Sequence, residues 1–261
     1  GALWAGLTAG AVELVDVTFR GNEATSASPG AGVAGAMRLV IGGTGRASLR
    51  RVLFEGNQAR TFGALHVRPQ LYAADAGSTR LEDVTFRSNS IGAPTGANAT
   101  AWFAEVRGSS ELVAQRVRIT GNNAGSSLPA ELIVSALESA TVRIDNLLVA
   151  DGDGRGLHLA GGDTSTVLAG HLTVAGNLST GLGLVAAGAS SVRLESSILW
   201  GNGFVAPDDL DTFGTTPSVD RATGPRALVS VSRAMVTAGE CTTATEANIC
   251  LLYTSPSPRD R

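Results

Sequence analysis

Apolar and polar residues alternate along this chain with period two, break at a corner, and alternate again, and the pattern occurs seven times. The first copy is residues 12–22 (VELVDVTFRGN); the others are 47–57, 79–89, 112–122, 142–152, 167–177 and 192–202. Aligned on the closing residue, apolar or small side chains fall ten and eight positions earlier, as at Val12 and Leu14 or Val142 and Ile144. They return mostly five and three positions earlier, as at Val17 and Phe19 or Val84 and Phe86. A mostly polar pair separates the two halves. Alternation on both sides of a corner predicts two short strands meeting at a bend, not a helix. A third apolar run lies between copies, at 2–7, 36–41, 64–68, 102–107, 132–136, 157–160 and 182–186.

The closing residues stand at 22, 57, 89, 122, 152, 177 and 202, giving spacings of 35, 32, 33, 30, 25 and 25. Periods of this length mark solenoids, propellers or arrays. A constant core with variable insertions favours a solenoid, because insertions can leave one side without disturbing the stack. The expected fold is all-β: a right-handed parallel β-helix of about seven to eight coils with three short strands per coil. At about 4.8 Å per coil it would be on the order of 30 Å long. Its inward side chains, Leu14, Phe19, Leu49, Phe54, Leu81 and Phe86 among them, would form apolar ladders that no coil can bury alone.

Two further columns follow from the alignment. Asn22, Asn57, Asn89, Asn122, Asn177 and Asn202 share one turn position, interrupted by Asp151-Gly152. Asparagine tolerates left-handed backbone and can bond the copies above and below it, and glycine would meet the same backbone demand. The corner column reads Asp16, Arg51, Asp83, Arg116, which places opposite charges one coil apart. Both are expected to be structural.

Composition narrows the function classes. A net charge of −3 over 261 residues disfavours nucleic acid, which asks for a basic face. No apolar run approaches the roughly 18 residues of a membrane helix. The 33 glycines suit a chain that turns every few residues. The chain opens at Gly1 within a repeat, without an initiator Met or signal peptide, and is expected to be a fragment of a longer protein. After Asn202 the pattern loosens: 204–249 is expected to form an irregular last coil and extension, following a repeat domain over 1–203. Residues 250–261 (CLLYTSPSPRDR) resemble the translation of a sequencing adapter and are expected to be non-native and disordered. Cys250 would then be foreign, and the pairing of Cys241 stays open.

Phe19-Arg-Gly-Asn22, Phe54-Glu-Gly-Asn57 and Phe86-Arg-Ser-Asn89 resemble the Phe-x-x-Asn repeats of bacterial polymorphic outer membrane proteins. Gly1-Ala-Leu and Gly63-Ala-Leu are similar to that family's Gly-Gly-Ala-Ile motif with one glycine missing. Ser197-Ile-Leu-Trp-Gly-Asn202, with Asp209-Leu and Val229-Ser-Val-Ser, resembles the closing coils of pectate-lyase-like surface proteins. The resemblance covers about residues 1–240. It implies a secreted, cell-surface or outer-membrane-associated bacterial protein, often adhesin-like. Later coils lose the Phe, and no autotransporter barrel occurs in this chain.

The same fold hosts polysaccharide lyases and hydrolases, whose chemistry needs clustered acids or a base with a cation, often with calcium. Asp208, Asp209 and Asp211 form the best acidic cluster and the candidate calcium site, although they lack the spaced ligand set of a defined calcium loop; Asp151 and Asp153 are a weaker pair, read first as a tight corner. His66, His158 and His171 are too dispersed for a metal centre. Alternation places Trp4, Arg38, His66, Phe103 and His158 in one outward column of the first strand, suited to sugar stacking or protein contact. The expectation is a monomeric, non-catalytic, adhesin-like scaffold without cofactor that meets a glycan or a surface protein. A carbohydrate-active enzyme is the first alternative and a structural spacer the second.

Overall fold

The computed structural model describes residues 2–24, 34–59, 64–69, 76–92, 99–123, 130–179 and 181–202. Beyond these it describes the backbone of four short strands, Leu210–Asp211, Ala222–Thr223, Leu228–Ser232 and Met235–Val236. Asp208, Asp209, Cys241 and the tail 250–261 lie outside the described residues, as do Gly1 and Gly63. All regular structure among the described residues is strand, and none of it is a helix long and apolar enough to cross a membrane.

The strands pair in parallel, each with its counterpart one repeat away. The first sheet runs Leu3–Leu7, Met37–Ile41, Leu65–Pro69, Ala99–Val106, Ala130–Ala136, Arg155–Gly161, Leu182–Ala187, in sequence order. The second runs Ala11–Val15, Arg46–Arg50, Ser78–Glu82, Glu111–Thr120, Thr141–Ala150, Thr166–Gly170, Ser191–Glu195, and ends on Leu228–Ser232. Past the bend, Thr18–Arg20, Leu53–Glu55 and Thr85–Arg87 stack on the far halves of Glu111–Thr120 and Thr141–Ala150, followed by Thr173–Ala175 and Ile198–Trp200. This is the strand order a parallel β-solenoid requires. A small third sheet of Glu23–Ala24, Gln58–Ala59 and Ser90–Ile91 was not visible in the alternation, because each strand is only two residues long.

Period two on either side of the bend buries one face of each sheet. Leu39, Leu49, Leu81, Leu112, Leu132 and Val142 are fully buried in a single apolar core. Phe19, Phe54 and Phe86 stack face to face at 5.0 and 4.9 Å between centroids, and Trp102 of the first sheet continues the pile at 6.2 Å. Each such ring contributes roughly 1.5–3 kcal/mol of burial and about 0.5–1.5 kcal/mol more from aromatic pairing.

The bend itself is left-handed backbone. Asp16, Arg51, Asp83, Arg116, Asn146, His171 and Ser196 all have φ between 48° and 58°, so every repeat turns the same corner at the same position. The asparagine turn differs from the sequence expectation. Its left-handed residue is the one before each asparagine, Gly21, Gly56, Ser88, Gly121, Gly176 and Gly201, and Asp151 before Gly152. The asparagines serve through their side chains. Asn57 N and Nδ2 both donate to Asn89 Oδ1 at 3.0 Å, and Asn89 N and Nδ2 donate to Asn122 Oδ1 at 2.9 and 3.0 Å. Asn89 Nδ2 also donates to Phe54 O at 3.0 Å. Asn22 joins the column through Asn57, and Asn177 through Asn202. At Gly152 the side-chain column is broken. Backbone freedom cannot explain that glycine, since its φ is not in the left-handed region.

Candidate functional site

A groove runs along the stacked bend. Its first wall is the corner column Asp83, Arg116, Asn146, His171, and its second is the outward column Thr85, Arg118, Leu148, Thr173 of the strands past the bend. Val117 and Leu147, both buried, form the floor. The groove encloses about 640 Å³. Four rungs at the parallel-strand spacing make it roughly 14 Å long.

Its charges are mostly committed to one another. Arg116 Nε donates to Asp83 Oδ1 at 2.7 Å while Nη2 reaches Asp83 Oδ2 at 3.0 Å and Glu82 Oε1 at 2.5 Å. Arg51 makes the same fork on Asp16, at 2.6 and 2.8 Å. The hydrogen bond from Arg116 holds the Asp83 carboxyl below the usual carboxylate range, and that from Arg51 does the same for Asp16. Such carboxylates stay ionised near neutral pH and are poor general acids. His171 Nδ1 lies 2.7 Å from Asp145 Oδ1, which fixes the ring in the groove. Arg118 is exposed and has no ion-pair partner among the described residues. The groove therefore presents one uncommitted guanidinium, an oriented imidazole, an amide and two threonine hydroxyls.

The outward column of the first sheet is in register as the alternation predicts: Trp4 pairs Arg38, Arg38 pairs His66, His66 pairs Phe103, and Ile133 separates Phe103 from His158. It is not, however, an open surface. Trp4 is 68% exposed, but His66 and Phe103 are only 2% and 9% exposed. Phe103 and Ile133 form a second apolar cluster with Ala99 and Ala130 on this side of the sheet, and His66 meets Phe103 edge to face at 5.2 Å. Arg38 and His158 are half-buried. Burial, with the Arg155 charge beside it, pushes the His158 imidazole down to about 4, so it is neutral at physiological pH. The structure thus corrects the expected exposure of His66 and Phe103: alternation assigns a side of a sheet and says nothing of what lies over that side.

Only Asp211 of the acidic cluster falls on a described strand, Leu210–Asp211, and there only the backbone is described. Among the described residues no three of His, Cys, Asp and Glu stand together as a metal site. The groove is hidden from the sequence because the alternating charges of its corner column end at Arg116. Extending that column through Asn146 and His171 was the available signal. No protein-family model matches the chain, and a search of curated proteins finds no match.

Proposed function

We propose that the chain is a right-handed parallel β-helix of the pectate-lyase-like kind, with repeats of the polymorphic outer membrane protein type, serving a secreted or cell-surface bacterial protein as a non-catalytic, adhesin-like scaffold. The bend groove is its binding face, taking a glycan chain or an extended segment of a surface protein. One observation carries this reading. The groove's one corner carboxylate, Asp83, is forked onto Arg116, which leaves a rigid display of donors and hydroxyls and no lining acid poised for proton transfer. Displays of this kind suit recognition of polar chains, since their donors are pre-oriented by the stack and lose little freedom on binding.

A second reading, a polysaccharide lyase or hydrolase, rests on the His171–Asp145 pair, which orients an imidazole in the same groove as Arg118. A base beside a cation is the minimum such chemistry needs. The two readings separate in one experiment: the full chain is offered a polysaccharide panel with and without calcium, and binding and product release are both followed. Binding without turnover is the expected outcome. Product formation that is lost in His171→Ala would replace the scaffold with the enzyme. No binding to any member would favour the structural spacer.

A further inference from the structure

The break in the asparagine column coincides with an anomaly on the opposite wall of the same repeat. Residues preceding the paired set Leu3, Met37, Leu65, Trp102, Leu132, Leu157 and Leu182 form their own column across the first sheet. It reads Ala2, Ala36, Ala64, Ala101, Glu131, Gly156, Gly181. Six of the seven are Ala or Gly; at Gly156 a Cβ would meet the Gly181 carbonyl oxygen, Val174 Cγ1 at 2.6 Å and Asn177 Nδ2 at 3.1 Å, so the asparagine is one of the groups that crowd this column. In that repeat the asparagine amide borders the space that a larger side chain in this column would enter. In the fifth repeat both positions are reversed: Glu131 replaces the small residue, and Gly152 replaces the asparagine.

The two reversals meet. A Cβ on Gly152 would lie 2.5 Å from Cδ and 2.8 Å from Cγ of Glu131, so the carboxyl occupies the volume an asparagine would fill. Glu131 is wholly buried. Neither of its oxygens closes a hydrogen bond of good geometry, and neither does Asn122 Nδ2, the donor that the neighbouring rungs would hand to the next asparagine. We propose that Glu131 and Gly152 have exchanged the roles of the small residue and the asparagine, so that the Glu131 carboxyl is the fifth rung of the ladder, facing the Asn122 amide, and makes this rung responsive to protons.

The surroundings fit an acceptor. Burial is the dominant influence and pushes the Glu131 carboxyl up to about 8 from 4.5, while the Thr100 hydroxyl, the Asn122 amide and the Gly154 backbone favour the charged form, and the Asp153 charge opposes it. On the flanking strands, Arg155 pairs with Ala130, His158 lies three residues further along, and Glu105 is at the far end of Ala99–Val106. Groups that donate to a carboxyl argue for a rung and against a cation cage, whose walls would be oxygens. The folded state keeps a proton that the unfolded chain loses between pH 4.5 and about 8. Stability from this group is therefore complete below pH 4.5 and is lost as pH rises to about 8.

The test is thermal unfolding of the full chain from pH 5 to 9, for wild type, Glu131→Gln, Gly152→Asn and the pair Glu131→Ala with Gly152→Asn. The wild-type midpoint, relative to Glu131→Gln, should fall as pH rises; taking that difference cancels the opposite trend of His158. Gly152→Asn alone should lower the midpoint at every pH, and the paired variant, which restores the residues of the neighbouring repeats, should recover it. If Gly152→Asn does not fold, the wild-type and Glu131→Gln curves still decide. Parallel curves for those two would overturn the proposal. So would purely additive effects in the pair, or a calcium-dependent rise of the wild-type midpoint at pH 9 that Glu131→Gln abolishes.

Discussion

The inward and outward columns of this molecule share one repeat but are built by opposite rules. Inside, like stacks on like: Phe19, Phe54 and Phe86 in one pile, Asn57, Asn89 and Asn122 in another. At the outer bend, unlike follows unlike: Asp16 under Arg51, Asp83 under Arg116, then Asn146 and His171. Distance explains both. Repeats are about 4.8 Å apart, close enough for identical rings to share faces and for an amide to be donor to one copy and acceptor to the next. Identical charges at that spacing would repel, so the bend alternates sign. The inner columns hold the fold, and the outer one, having no packing to satisfy, is free to carry recognition.

Substitutions can break this contrast, and the largest effect belongs to the pile. Phe54→Ala removes the middle ring, fully buried between two others, and should cost about 3–5 kcal/mol in chemical denaturation. Asn89→Ala comes next. It strands the Asn57 N–H, takes one of the two acceptors of Asn57 Nδ2 and removes the donor to the Phe54 carbonyl inside the stack, and should cost about 2–4 kcal/mol. The smallest effect on stability is expected of Arg116→Ala, whose pair is exposed on both sides. Its unfolding midpoint should match wild type at pH 7. The Asp83 pKa is depressed in the fold, so what its pair contributes is present above pH 3.8 and is lost as pH falls below it. A loss on the scale of Asn89→Ala would mean that the bend, too, holds the fold.

Much of this was legible before the structure, because a parallel stack pairs each position with its own copy. Aligning repeats on the closing asparagine therefore aligns the register, and Leu14 meets Leu49 and Leu81 as the alignment says. What alignment cannot supply is packing between different strands of one repeat. The burial of His66 and Phe103 depends on a second apolar cluster over the first sheet. The place of the left-handed residue, one before the asparagine, depends on backbone geometry that Gly-Asn and Ser-Asn spell equally well. Gly152, in a turn, and Glu131, on a strand of the first sheet, are 21 residues apart; the break at Gly152 shows in the alignment, but its tie to Glu131 does not until both columns are read side by side.

The proposed binding face is the bend groove and not the outward column of the first sheet, and the two can be separated directly. Binding of the full chain to the polysaccharide panel should be measured for two variants, Arg118→Ala with His171→Ala in the groove and Trp4→Ala on the column. Both alter exposed side chains, so circular dichroism should be unchanged. Binding lost at least tenfold in the groove variant and kept in Trp4→Ala is the predicted result. The reverse, loss with Trp4→Ala and full binding without Arg118 and His171, would contradict it.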